Sequence, residues 1–294
     1  YACINTALSA NKIMTNRTMR RKTFEAKGID YVSDLALLNV KDLKTIVQWN
    51  NEMGIKLFRL SSQIFAWSDE YKLSDLKDYD EICSMMLEIG KIATDANQRL
   101  TMHPGPYNCL ASPNQKVVEK TIRELNCHSE QFNMLGFKPS NYNKINIHVG
   151  GAYGDKKGTL ERFCKNFELL NDDTKKRLVI ENDDSPNEYS VKDLFDGIYQ
   201  TIGIPITFDY FHHKFNTGGL TEEEALKMAA ITWPEGIAQC CHYSESRRKE
   251  KLDESIRPQA HSDIIYEKIQ TYGLEPDIVI EAKLKEQAIF KRVI

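Results

Sequence analysis

The sequence predicts an α/β fold, a (β/α)8 TIM barrel formed as a single domain over residues 1–294. Three observations point to it. Short apolar runs of strand length alternate with amphipathic runs of helical length along the chain. Eight such pairs fit in 294 residues, and alternation of this kind implies a parallel sheet with helical crossovers. Residues able to ligate a metal also recur at the C-terminal ends of the strand candidates. Periodicity by itself leaves a doubly wound open sheet as the alternative.

The expected strands are Ala2–Asn5, Ile55–Leu60, Arg99–His103, Lys144–His148, Leu178–Glu181, Pro205–Asp209, Gly236–His242 and Asp277–Glu281. The expected helices are Asp34–Met53, Asp78–Thr94, Pro113–Leu135, Thr159–Leu170, Val191–Ile202, Thr221–Ile231, Ser262–Thr271 and a last one from Lys283. Pro-containing steps such as Ser112-Pro113 and Ser185-Pro186 fall between periodic runs, where turns belong. No low-complexity stretch or Pro/Gly/Ser linker divides the chain. Gly150-Gly151-Ala152-Tyr153-Gly154 imitates a dinucleotide fingerprint, but that motif belongs to the first strand–helix turn and this strand is the fourth. No GxxxxGK[ST] phosphate loop occurs.

Composition narrows the function classes. With 41% hydrophobic and 28% charged residues the chain is not disordered. A net charge of -3, from 39 Lys+Arg against 42 Asp+Glu, argues against bulk coating of nucleic acid, although a local site stays open. Seven cysteines without CxxC spacing disfavour a disulfide scaffold and a zinc ribbon, and suit a reducing compartment. No run approaches the ~20 apolar residues of a membrane span, and no targeting signal is visible. The expectation is an intracellular protein, cytoplasmic or nuclear, monomeric, without membrane contact or organic cofactor.

The polar residues carry the functional reading. Six consecutive strand candidates end on a metal-competent side chain: His103, His148, Glu181, Asp209, His242 and Glu281. His212 and His261 lie in the loops after strands six and seven. In a parallel barrel all strand C-termini open on one face, so these eight groups would converge on one mouth. Taken singly, a histidine here is more often a hydrogen-bonded core or surface residue, and a carboxylate after a strand more often caps a helix. Six successive strands ending this way is not what capping produces. His128 is set aside because it lies within a helical run, and His213 because it should point away from His212.

Mixed imidazole and carboxylate ligands suit zinc or manganese better than calcium or magnesium. Eight candidates imply two or three ions, with Glu181, central in the strand order, as the bridge. Clustered ions favour in-line displacement at phosphorus, hence phosphodiester hydrolysis. The rim fits a polyanion: Asn16-Arg17-Thr18-Met19-Arg20-Arg21-Lys22, Arg59, Ser61-Ser62, Arg247-Arg248-Lys249, Lys283 and Lys285 all follow strands. Basic runs are otherwise solvated faces, but Arg17 and Lys283 adjoin strand ends and are read as part of the site. Tyr107, Tyr153, Tyr210 and Tyr243 are candidates for stacking on bases, or for core and rim positions.

These residues give the chain a family likeness: it resembles the UV damage endonucleases, relatives of endonuclease IV in the metal-dependent barrel superfamily. The markers are TNRTMR (Thr15–Arg20), FRLSS (Phe58–Ser62), MHPG (Met102–Gly105), HVGGAYG (His148–Gly154), ENDD (Glu181–Asp184), DYFHHKFN (Asp209–Asn216), HYS (His242–Ser244), AHSD (Ala260–Asp263) and EAKLKEQA (Glu281–Ala288). The resemblance runs from Tyr1 to about Ala288. It implies a barrel with up to three divalent ions, manganese foremost and zinc or magnesium as alternatives. The implied substrate is damaged double-stranded DNA, nicked immediately 5′ to a cyclobutane dimer, 6-4 photoproduct or related lesion, leaving a 3′-hydroxyl and a 5′-phosphate. By motif, His103, His148 and Glu181 would hold one ion. Glu181, Asp209, His242 and Glu281 would hold a second, and His212 and His261 a third. Glu181, His103 and Lys283 are expected to be catalytic. Tyr1, Asn5, Arg17, Arg59, Pro106, Tyr107, Tyr153, Lys283 and Lys285 are expected to contact DNA or the lesion.

Two departures from the family pattern stand out. The family's Gln-Tyr pair after MHPG is Pro106-Tyr107 here; proline offers no side-chain amide, so only Tyr107 could act as the inserted probe. Some members carry a modified lysine two residues before the strand-seven histidine, where this chain has Cys240. Cys240 and Cys241 are read as small buried hydrophobes. The rival readings are endonuclease IV-like cleavage at abasic sites, a metal-dependent sugar isomerase or epimerase on the same barrel, and a binding protein without turnover.

Overall fold

Parallel strands build the centre of the computed structural model, which describes residues 1–291. Strands β1 (Leu57–Leu60), β2 (Arg99–Met102), β3 (Ile145–Ile147), β4 (Leu178–Glu181) and β5 (Ile206–Thr207) pair with one another in sequence order. The next two, β6 (Cys240–Tyr243) and β7 (Asp277–Ile280), form a second parallel pair. A bridge from Asp209 to His242 joins β5 to β6, and one from Ala2 to Arg59 adds the N-terminus beside β1. Buried Ala2, Leu57, Val179, Cys240 and Val279 from these segments pack as one cluster inside the ring. The fold is the expected barrel. Its first strand, expected over Ala2–Asn5, is cut to the Ala2 bridge because Asn5 turns to cap the short helix α1 (Thr6–Ser9) through Leu8 N.

The helices that cover the ring are α2 (Arg21–Glu52), α3 (Tyr79–Asp95), α4 (Gln115–Met134), α5 (Lys156–Phe167), α6 (Asp172–Lys175), α7 (Val191–Leu194), α8 (Gln200–Ile202), α9 (Tyr210–His213), α10 (Glu222–Ala230), α11 (Arg247–Lys251) and α12 (Glu286–Phe290). A π-turn over Phe195–Tyr199 links α7 to α8, so the run expected over Val191–Ile202 is continuous. Helix α2 starts earlier than expected but breaks at Gly28, whose φ of 67° only glycine adopts freely.

The period-two alternation sorts the strand side chains. Phe58, Leu60, Leu100, Met102, Ile145, Ile147 and Ile180 join the main apolar cluster with Val40, Leu43, Ile89 and Phe132 of the helices. Burying each such side chain contributes about 1.5–3 kcal/mol. The alternate positions face the barrel axis: Leu57, Val179, Cys240 and Val279 make the inner apolar cluster, and Arg99, Thr101, Asn146 and Glu181 are polar. Arg99 closes the floor: its guanidinium donates to the carbonyls of Asn141, Tyr142 and Ala238 and to Asp277, and lies over the rings of Tyr142 and Trp233.

Two helix assignments need correction. Ser262–Thr271 is not helical; the helix between β6 and β7 is α11 instead. The amides that would start the expected helix are taken by carboxylates: Glu250 accepts from Asp263 N and Ile264 N, and Glu245 from Tyr266 N and Glu267 N. The last helix begins at Glu286, not Lys283, because Lys285 has a φ of 52°. The buried Glu286 carboxylate accepts from Thr6 N and Ala7 N, tying the last helix to the first. Among the described residues, no helix is long and apolar enough to cross a membrane.

Candidate metal centre

Strand length and register bring the strand-end residues together. Glu181, the last residue of β4, is 1% exposed and central. One of its carboxylate oxygens, Oε2, lies 3.1 Å from His103 Nε2 and 3.7 Å from His148 Nε2. The other, Oε1, lies 3.0 Å from His242 Nδ1 and 3.6 Å from His212 Nδ1. Glu281 approaches His242 from β7, with Oε1 3.3 Å from Nδ1. Two groups have ligand atoms all within 4.8 Å of one another, His103–His148–Glu181 and Glu181–Asp209–His242, and they share Glu181. A carboxylate shared in this way could bridge two ions.

Four histidine rings are held by their Nδ1 atoms, and on His103 and His148 this turns Nε2 toward Glu181. The partners are Pro104 O at 3.0 Å for His103, Asp183 Oδ1 at 2.7 Å for His148, Asn182 O at 2.8 Å for His212 and Glu281 O at 3.0 Å for His261. Such contacts fix the tautomer and orientation of a metal-binding imidazole. His242 is reversed, with Nδ1 toward Glu181 and Nε2 3.1 Å from Lys144 Nζ.

The carboxylates set the electrostatics of the cluster. Three buried or nearly buried carboxylates, Glu181, Asp209 and Glu281, sit within one cluster. Burial pushes Asp209 up to about 7, reinforced by the negative charges of Glu181 and Glu281. Its Oδ2 is buried with no hydrogen-bond partner, a costly state unless a ligand takes it. For His148 burial opposes charge, yet Glu181 and Asp183 lift it to about 10. His212 rises to about 9 because Asp209 and Glu181 outweigh its burial. Burial alone would raise Glu181, but His242 and His148 hold it well below the usual carboxylate range. Burial pushes His242 down to about 3, a neutral imidazole with a lone pair to give. This set of imidazole and carboxylate donors fits divalent cations such as zinc or manganese.

The rim is more selective than the sequence suggested. Tyr107 is 88% exposed beside exposed Pro106, and Tyr153 is 51% exposed. Lys283 is exposed and close enough to His261 to influence its ionisation, while Lys285 is partly buried. Arg59 reaches the cluster and forms an ion pair with Glu281. Arg17 is turned away: its guanidinium bonds to Met14 O and Lys12 O and pairs with Asp42 at 2.6 Å. Tyr1 and Asn5 are both 1% exposed, with Tyr1 Oη donating to Asn50 and accepting from Asn5. Tyr210 and Tyr243 are core residues. His128 and His213 are buried away from the cluster, His213 against the Phe208 ring at 5.3 Å, and Cys240 and Cys241 are fully buried.

Sequence reasoning missed four residues behind the ligands: Lys144, Asn146, Asn182 and Asp183. Asn146 donates to Glu181, and Asn182 exchanges hydrogen bonds with the Asp209 backbone. The signal was available in the period of two. Stepping back by two from His148 reaches Asn146 and then Lys144, both facing the barrel axis.

Comparison with known proteins agrees with the fold. The model of the family described as UV-endonuclease UvdE matches residues 1–293. A UV-damage endonuclease of Schizosaccharomyces pombe is 38% identical over 99% of this chain and 49% of its own length, so the chain spans about half of that relative. The crystal structure of SacUVDE superposes with a TM-score of 0.84 at 30% identity, covering 98% of this chain and 93% of that one. An L-ribulose 3-epimerase shares the barrel at a TM-score of 0.54 and 15% identity, over 82% of this chain and 76% of its own, a likeness of fold alone. The match over nearly every residue, with Glu181 and its histidines at one barrel mouth, leads to a single assignment: the chain belongs to the UV-endonuclease UvdE family.

Proposed function

We propose that the chain is a metal-dependent DNA repair endonuclease. It nicks the backbone immediately 5′ to cyclobutane dimers, 6-4 photoproducts and related lesions, leaving a 3′-hydroxyl and a 5′-phosphate. The observation that carries this reading is Glu181, whose two oxygens belong to two ligand groups at once. His103, His148 and Glu181 would hold one ion; Glu181, Asp209, His242 and Glu281 a second; His212 and His261 a third. Manganese is the favoured metal. Divalent ions held there supply the positive charge that an in-line displacement at phosphorus requires.

The chain's own residues then divide the remaining work. Glu181 and His103, 3.1 Å apart, hold the reacting region in a fixed frame. Lys283, exposed beside His261, is suited to a backbone phosphate. Tyr107, 88% exposed at the rim, is suited to enter a distorted duplex, and Pro106 before it stiffens that loop. Arg59 neutralises Glu281 at the edge of the cluster and keeps a cation near an incoming phosphate.

The test uses duplexes carrying one cyclobutane dimer, one 6-4 photoproduct or one abasic site, each incubated with manganese and with EDTA. A nick 5′ to the photoproducts that EDTA abolishes is expected. Cleavage at the abasic site alone would replace this reading with an endonuclease IV-like one. Intact DNA in every case, together with turnover of a free ketose, would replace it with an isomerase.

A further inference from the structure

Of the five histidines at the mouth, His242 alone brings Nδ1 to 3.0 Å from Glu181, and it alone has a lysine at its other nitrogen. Lys144 precedes β3 and its side chain runs up the barrel axis, with 0% exposure. Its Nζ meets three polar atoms on three strands: Thr207 Oγ1 at 2.7 Å, His242 Nε2 at 3.1 Å and Asn146 Oδ1 at 3.3 Å. Those three partners match the three hydrogen-bonding directions of a lysine amine. Asn146 passes the contact on, since its Nδ2 donates to Glu181.

We propose that Lys144 is a positioning residue: it engages His242 Nε2 and so presents Nδ1 to the ion shared by Glu181, Asp209 and His242. This rests on the metal reading of the cluster. The Nζ–Nε2 contact closes off Nε2 whichever of the two atoms holds the proton between them. Through Asn146 the same amine steadies Glu181, so one side chain orients a ligand on β6 and another on β4. A buried ammonium within this distance of a dication's ligand repels the cation. If Lys144 merely filled the barrel, removing its amine would leave ion binding unchanged or tighten it. A positioning role predicts the opposite sign.

The experiment compares the metal-free wild-type protein with Lys144→Met, which keeps the length of the stem and removes the amine. Manganese is titrated in and the free ion counted by electron paramagnetic resonance, and imidazole nitrogens are followed by NMR before metal is added. We expect the wild type to bind more than one ion. Lys144→Met should weaken the ion at Glu181, Asp209 and His242 by roughly 10–100-fold, the usual consequence of losing a ligand's outer partner, and the ion at His103, His148 and Glu181, reached only through Asn146, by less. The His242 nitrogens should shift while those of His103 and His148 stay. Unchanged or tighter binding in a folded Lys144→Met protein overturns the proposal. If that variant does not fold, Thr207→Val, which removes the 2.7 Å acceptor, should weaken the ion at Glu181, Asp209 and His242 to a smaller extent, and no change there overturns it. A wild-type protein that binds no manganese or zinc defeats the metal reading itself, a different result from loss of the Lys144 effect.

Discussion

His148 Nδ1 lies 2.7 Å from Asp183 Oδ1, and the second oxygen of Asp183 accepts from Tyr189 N at 3.2 Å. The carboxylate is therefore fixed before it fixes the imidazole. Asp183→Ala should lower affinity for the ion at His103, His148 and Glu181 by roughly 10–100-fold, with Asp183→Asn in between. Manganese titration of the metal-free proteins measures it.

Glu181→Gln keeps the shape of the bridge and removes its charge. The loss of ion binding should exceed the roughly 10–100-fold that follows loss of a ligand's outer partner, and nicking should fall with it. Near wild-type nicking at full metal content would remove Glu181 from the bridging role.

Metal binding should release protons. With His148 lifted to about 10 and His212 to about 9, both imidazoles are charged near neutrality in the metal-free protein, and a dication must displace those protons. Affinity should accordingly rise as pH increases from about 6 toward about 9 and level off above the higher value. Calorimetry in buffers of different ionisation enthalpy reads the protons released. Affinity falling over that interval would contradict the assignment. For folding of the metal-free chain the sign is reversed: the His148 contribution is present in full below the ordinary histidine pKa and is lost as pH climbs through about 10.

Tyr107 is the most exposed aromatic ring at the mouth. Tyr107→Ala should reduce the preference for damaged over intact duplex by about tenfold, on the scale of one base–aromatic stacking contact. Fold and ion content should stay the same. Equal discrimination in wild type and variant, measured by competition binding, would exclude the ring as the lesion probe.

Arg17 and Lys283 should separate. Lys283→Ala removes an exposed cation and should flatten the salt dependence of DNA binding by about one unit of slope. Arg17→Ala breaks local bonds to Met14 O, Lys12 O and Asp42, so it should cost about 1 kcal/mol of stability and leave that slope alone. Thermal melts and binding at two salt concentrations check both.

The barrel was legible because β4 carries a clean apolar run that ends on Glu181 and β2 stops just before His103, and the structure puts both within a residue of their expected limits. Register did the rest: His103, Glu181 and His242 share a mouth since parallel strands begin and end together. What stayed hidden depended on contacts between distant residues. Nothing near Ser262 announces that Glu245 and Glu250 will take the amides of that segment. Arg17 looked like a rim cation because sequence shows its distance from a strand end and not its pairing with Asp42, 25 residues on. Tyr1 and Asn5 read from sequence as contacts to DNA or the lesion, whereas the structure buries both.

Arg99 seals the lower end of the barrel with four hydrogen bonds and two aromatic faces, and the fully buried Lys144 lies above it. The candidate ligands lie above this floor, at the strand C-termini. A duplex lying across that face would act as a stopper. Ions already inside would then exchange with solvent more slowly than in the uncovered protein. Chelators should strip the free protein faster than the DNA-bound one, a difference set by the floor of the barrel rather than by the strength of any ligand.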